Sequence, residues 1–216
     1  MHRLLPFLAL LIALPALAEP LDCAVIKSTT HSFELVLDWT RTEKGKDPLA
    51  VKMHQQVIRK ADETIVYEFF SPEKFVRRTL NATGFRTQIR TAGEAANASR
   101  VSTYSIDVSR DYFGIGKPFD FNEVVKGADG TIVADVNTSV SFDGTVNVEV
   151  GGCTYALTKI MESSRGSVRG VAGGNRAEIW YSRDLRIGLY TRYEEDDGSV
   201  VEQRARAIST SFIPVE

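Results

Sequence analysis

From His31 to Ile208 apolar and polar residues alternate with a period of two over most of the chain, the pattern of half-buried strands whose successive side chains face opposite sides. Phe33, Leu35, Leu37 and Trp39 share one side of a first strand. A polar, proline-ended turn over residues 42–48 leads to a second strand near Val51 to Lys60, and the β-branched and aromatic run from Ile65 to Phe70 predicts a third. Phe75 to Leu80 fits a short helix or a strand, with the strand favoured. Phe85 to Arg90 and Val101 to Val108 predict two more strands, separated by the soft linker Gly93 to Ala98. One or two short helices are expected. Ser71-Pro72-Glu73 offers an N-cap serine and a proline for the first helical position, and Asp120 to Lys126 has an aspartate to start it and Gly127 to end it.

Four consecutive antiparallel strands are expected from Gly151 to Ile208, and turn chemistry sets their register. Asp-Gly at 143–144 and 197–198 reads as hairpin chemistry. A three-residue loop Phe142-Asp143-Gly144 opposes Val140 to Val146 and Val136 to Val150. The same rule at Asp196-Asp197-Gly198 opposes Tyr193 to Val201, Leu189 to Ala205 and Ile187 to Ala207 on one face, and Arg192 to Glu202 and Tyr190 to Arg204 on the other. Gly151-Gly152 as a two-residue turn aligns Val150 with Cys153, Val148 with Tyr155 and Val146 with Leu157, so Cys153 faces inward. The glycine-rich connection from Glu162 to Asn175 reads as a mobile loop, and Ser182-Arg183-Asp184 turns the chain into the last hairpin. The fold class is mainly β: a curved antiparallel sheet or half-open barrel with one or two short helices.

The first residues change the picture of where this sheet works. Met1 to Ala18 has a basic start, an apolar run too short to span a bilayer, and Ala16-Leu17-Ala18 before Glu19. This predicts a signal peptide over 1–18, cleaved near Ala18, and a single exported β domain over 19–216, periplasmic or secreted. Cys23 and Cys153 are the two cysteines, and in an oxidising compartment an even count favours a bridge over two unpaired buried thiols.

Formal charge is −2, which gives no field to recruit nucleic acid. Arginines gather in the C-terminal third, and Arg165, Arg169 and Arg176 on the expected loop are candidates for an anion site or a partner contact, against the plainer reading of solvent-facing charges. Catalytic chemistry finds little support. There is no serine in Gly-x-Ser-x-Gly and no phosphate-cradling glycine loop before a helix, and His31 and His54 stand far apart with both cysteines better used in a bridge. The acidic run Glu194 to Asp197 reads as a solvated turn, and no cofactor or metal is expected. Asn-x-Ser/Thr triplets at Asn81, Asn97 and Asn137 are frequent by chance.

The runs Thr145 to Tyr155, Glu178 to Ser182 and Leu185 to Leu189 resemble uncharacterised exported β-proteins related to the lipoprotein carriers LolA and LolB, with their tight turn, Cys-bearing strand and aromatic strand before a final hairpin. The resemblance spans about the last 75 residues of the chain. It implies a curved sheet whose concave apolar face, closed by short helices, holds an acyl chain or a hydrophobic protein segment.

The expected function is therefore that of a non-catalytic exported protein binding an apolar or amphiphilic envelope component, with Tyr155, Trp180 and Tyr181 as candidate lining residues. The alternatives are an envelope assembly factor contacting a protein partner and, third, a hydrolase of envelope glycans. Lipid or an envelope protein is the expected partner.

Overall fold

The computed structural model describes residues 22–28, 31–71, 74–92 and 99–210. The expected signal peptide, the linker at 93–98 and the Pro72-Glu73 helix start lie outside them. The elements run α1 (Cys23–Lys27), β1 (Phe33–Thr42), β2 (Leu49–Arg59), β3 (Glu63–Ser71), β4 (Lys74–Asn81), β5 (Arg86–Thr91), β6 (Arg100–Tyr104), α2 (Tyr112–Ile115), β7 (Phe119–Lys126), β8 (Ile132–Val150), β9 (Cys153–Val168), β10 (Val171–Ser182), β11 (Ile187–Glu195) and β12 (Val200–Ser209). Every strand pairs antiparallel with its sequence neighbours, and β1 pairs β12, so the meander closes into a twelve-stranded barrel with no free edge. The curved sheet or half-open barrel expected from the sequence is thus a fully closed wall with its concave face inside.

The alternating pattern places its apolar phase inside. Phe33, Leu35 and Leu37 of β1 are buried, while Asp38 between them and their neighbours pairs with exposed Arg206 at 2.5 Å and Glu34 meets exposed His54 at 2.9 Å. On β1 the outward phase thus carries charged pairs. Among the described residues no helix is long and apolar enough to cross a membrane.

One end of the barrel is closed by the two long strands. The second half of β8 and the first half of β9 extend past the neighbouring β7, which begins opposite Val140. This hairpin turns at Gly151-Gly152, both at positive φ, in the expected register: Val150 opposite Cys153, Val148 opposite Tyr155, Val146 opposite Leu157. Its apolar side packs in one cluster with Phe33, Leu35, Ala205 and Ile208 from across the barrel, and β8 reaches β12 although three strands stand between them in the ladder order. Cys153 is bonded to Cys23, with a Cα–Cα distance of 5.5 Å, so α1 is tied to the hairpin. The Arg59 guanidinium clasps the same end. It donates to the carbonyls of His31 (2.6 Å), Asp184 (2.5 Å) and Ile26, joining α1, the approach to β1 and the β10–β11 turn. Burial pushes its pKa down to about 10.

Four expectations are corrected. Asp143-Gly144 is no hairpin: β8 runs straight through it, with a register shift against β9 between Phe142 and Thr145 and Gly144 at φ 74°. The left-handed glycine serves a bulge that bends β8 over the barrel end, and Val140 and Val136 lie opposite Glu162 and Gly166 instead. The expected helix at Asp120 to Lys126 is strand β7, because Phe119, Phe121 and Val125 alternate onto the inner face against Val140, Thr138 and Ala134. The helices that form are α1 and α2, each started by an unanticipated aspartate cap, Asp22 and Asp111.

The mobile loop at 162–175 is a continuous ladder turning tightly at Arg169-Gly170, both at positive φ as a two-residue hairpin requires. Its glycines permit close strand approach: a Cβ on Gly166 would stand 2.0 Å from the Asp135 carbonyl oxygen. In the last hairpin, Tyr190–Arg204, Arg192–Glu202 and Tyr193–Val201 pair as expected. The β11–β12 ladder stops at Tyr190, so Leu189 and Ile187 lack the expected partners there and pack in the core.

Candidate functional site

Above the apolar plug the barrel interior turns polar, because several strands place charged residues in the inward phase. Glu68 of β3 is 2 % exposed and accepts hydrogen bonds from both terminal nitrogens of Arg78 on β4, at 2.8 Å each, and from the Gln55 amide of β2 at 2.8 Å. Arg86 of β5 reaches Glu123 of β7 at 2.7 Å, and the Tyr104 hydroxyl of β6 donates to that carboxylate at 3.1 Å and to the Arg86 carbonyl at 2.6 Å. Bidentate and shared bonds of this kind offset the cost of withdrawing the ions from water. Tyr193 of β11 lies among Arg78, Glu162, Glu68 and Arg86, and desolvation raises its pKa, as it raises that of Tyr104.

Of these groups Gln55, Glu68, Arg78 and Tyr193 line a cavity of about 220 Å³ inside the barrel. One part of its wall is aliphatic and aromatic, from Val66, Leu80, Phe113, Ile160, Ile179 and Ile187. The other part is polar, from Gln55, Glu68, Arg78, Glu162, Tyr193 and Gln203. Gln55 Oε1 and Arg78 Nε are buried without a hydrogen-bond partner among the described residues.

Glu162 differs from the other lumenal acids. Its cross-strand neighbours are Val140 and Ala177, and among the described residues it accepts no hydrogen bond and forms no ion pair. Glu162 is half-buried and lines the cavity, and it also borders an outer hollow with Asp120 and Arg176. Desolvation, then the Glu123 carboxylate, pushes its pKa up to about 7.

A second hollow, of about 630 Å³, lies outside the cavity, between the covering hairpin, the β4–β5 turn and the β10–β11 turn. Lys27, Arg183 and Arg186 line it with Asp111 and Asp184, and Tyr181 and Arg186 belong to both hollows. Arg186 is held at φ 56° and donates to the Lys60 carbonyl at 3.4 Å. Helix α2 stands beside both hollows. Its Phe113 ring lies 5.3 Å from Phe85 and 5.5 Å from Tyr181, and its cap Asp111 is bridged to Arg183 at 3.1 Å. A Cβ on Gly114 would meet the Asp111 carboxylate at 1.9 Å, so the bare glycine makes room for the bridge.

The candidate lining residues separate. Tyr181 lines the cavity, and burial pushes its hydroxyl pKa up to about 12. Tyr155 is fully buried in the plug, its hydroxyl unpartnered among the described residues and the Lys27 ammonium 5.3 Å from its ring. Trp180 stands between the cavity-lining Ile179 and Tyr181 on one strand and is not in the cavity lining; it packs against the apolar core, tilted on Tyr190 at 4.6 Å and bonded to Glu178 at 2.7 Å. Arg165 and Arg176 take diagonal positions on the outer wall of β9 and β10, opposite Gly174 and Ser163, and Arg169 sits at the hairpin tip. Sequence reasoning does not single out the lumenal acids and arginines. The available signal was phase: Glu68 shares a face with Val66, and Arg78 with Leu80.

No protein-family model matches the chain, and no curated protein matches it. Among solved structures it is similar to the hypothetical lipoprotein YmcC of Escherichia coli K12, at 8% identity over 83% of this chain and 88% of that one, with a TM-score of 0.43. It is similar to a candidate lipoprotein of Parabacteroides distasonis, at 9% identity, covering 88% and 100%, TM-score 0.43. A candidate exported protein of Bacteroides fragilis with a YmcC-like fold aligns at 10% identity, covering 84% and 97%, TM-score 0.43.

Proposed function

We propose that this chain is a non-catalytic protein of the cell envelope that holds a small amphiphilic molecule inside its barrel. The observation that carries this reading is the two-sided cavity: a wall of Val66, Leu80, Phe113 and three isoleucines for an apolar chain, facing Glu68, Arg78, Glu162 and Tyr193 for a polar group. A purely structural interior has no need of ionised residues around a void, because burying them costs more than an apolar filling of equal volume. Tyr181 and Arg186, which line both the cavity and the outer hollow, are the side chains that stand between the two. An exported location fits the leader-like first residues and the Cys23–Cys153 bridge.

Displacement of a solvatochromic fluorescent lipid by octyl-chain amphiphiles tests the proposal. Wild-type protein binds with one saturable site. Thr191→Phe, which puts a ring into the cavity, weakens binding on the order of tenfold or more while the circular dichroism spectrum stays that of a folded barrel. Equal binding by both proteins contradicts the lumenal site.

A further inference from the structure

The charges inside the barrel point beyond an undifferentiated amphiphile. Each lumenal arginine is matched to one acid, Arg78 to Glu68 and Arg86 to Glu123. Arg186, the remaining basic residue on the cavity wall, turns its guanidinium to the Lys60 carbonyl at the exposed end. Glu162 is left as the acid without a cation.

Every element packed around Glu162 supports that count. β8 and β10 set Val140, Thr138 and Ala177 beside it, none of which titrates, and Arg176 of β10 and Asp120 of β7, which share an outer hollow with Glu162, form no ion pair with each other or with it among the described residues. The other charged and titratable groups come from β3 (Glu68), β4 (Arg78), β5 (Arg86), β6 (Tyr104), β7 (Glu123) and β11 (Tyr193), and both of these arginines are already engaged.

An ionised carboxylate in such a place needs a countercharge, since a desolvated ion without one is costly. A proton supplies it when the cavity holds nothing charged. A ligand ammonium group supplies it equally well, and the phenol ring of Tyr193 and the isoleucines beside it suit the carbon chain attached to such a group.

Resting on the reading of the cavity as an amphiphile site, we infer that Glu162 is the anchor for a cationic, amine-bearing head and that the ligand class is a hydrophobic amine. The carboxylate accepts from the ammonium, Tyr193 and Glu68 lie within the same polar wall, and the chain lies against Ile160, Ile179 and Phe113. An anionic head is disfavoured in this position, because it would meet Glu162 and, behind it, Glu123.

Octylammonium, octanol and octanoate, used as competitors against the same fluorescent lipid, separate the possibilities. Around pH 8 the wild-type protein should prefer octylammonium to octanoate on the order of tenfold to a hundredfold. Glu162→Gln should abolish that preference, and Glu162→Asp should restore part of it. Lowering the pH to around 6 should narrow the gap in wild type alone, because the carboxylate takes up a proton. Octanol binding with no preference for the ammonium overturns the assignment and leaves the amphiphile reading standing. A preference that survives Glu162→Gln overturns it as well. If none of the three competes, both readings fall.

Discussion

At the residue scale, Glu162 couples the cavity to stability. Its pKa stands at about 7 in the folded chain against an ordinary 4.5, so the folded state binds the extra proton between those values. Stability is therefore fully kept below about pH 4.5 and falls as pH rises through about 7, by roughly 3 kcal/mol for a shift of this size. Glu162→Gln cannot ionise and should lose that decline. Urea unfolding at several pH values should show the variant gaining on wild type between about pH 5 and 8, and parallel curves would show that Glu162 carries no such shift. This residue was invisible to a reading by composition. A glutamate in an alternating run reads as a solvent-facing charge, and only closure of the barrel makes its face an interior. Glu68 was hidden by its neighbours, since Ile65, Tyr67 and Phe69 make the opposite phase of β3 look like the core side.

At the element scale, turn chemistry was legible wherever a glycine pair or Asp-Gly served a true hairpin, as at Gly151-Gly152 and Asp197-Gly198. It misled at Asp143-Gly144 because a bulge asks for the same left-handed glycine as a hairpin, and local sequence does not say whether the partner strand lies behind or ahead. Cap signals misled likewise at Asp120, where pairing with β8 outweighs a helix of seven residues. The bend at Gly144 gives the Cys23–Cys153 bridge its role, which is to hold the covering hairpin and α1 on the barrel end. The bridge spans 130 residues, and its removal should cost at most about 5 kcal/mol on the chain-entropy account. The double variant Cys23→Ser, Cys153→Ser should unfold at markedly lower urea than the oxidised wild type. An unchanged midpoint would mean that the packing of Tyr155, Leu157 and Ile26 suffices to hold this end alone.

At the scale of the whole molecule, strand content, antiparallel order and the inward phase of β1 were legible in the sequence. Closure was not, because it depends on β1 finding β12, and no local pattern encodes a pairing between the two ends of a sheet. With closure the expected concave apolar face becomes an apolar plug at one end and a polar-walled cavity above it, and mainly strands, rather than short helices, enclose the proposed site. Isoleucine methyl groups report on that placement. Ile160, Ile179 and Ile187 line the cavity, whereas Ile115 and Ile132 are exposed outside it. In a titration with octylammonium followed by methyl NMR, the three cavity signals should shift together along one saturating curve while Ile115 and Ile132 stay in place. Shifts confined to Ile115 and Ile132, with the cavity methyls unmoved, would contradict a ligand inside the barrel.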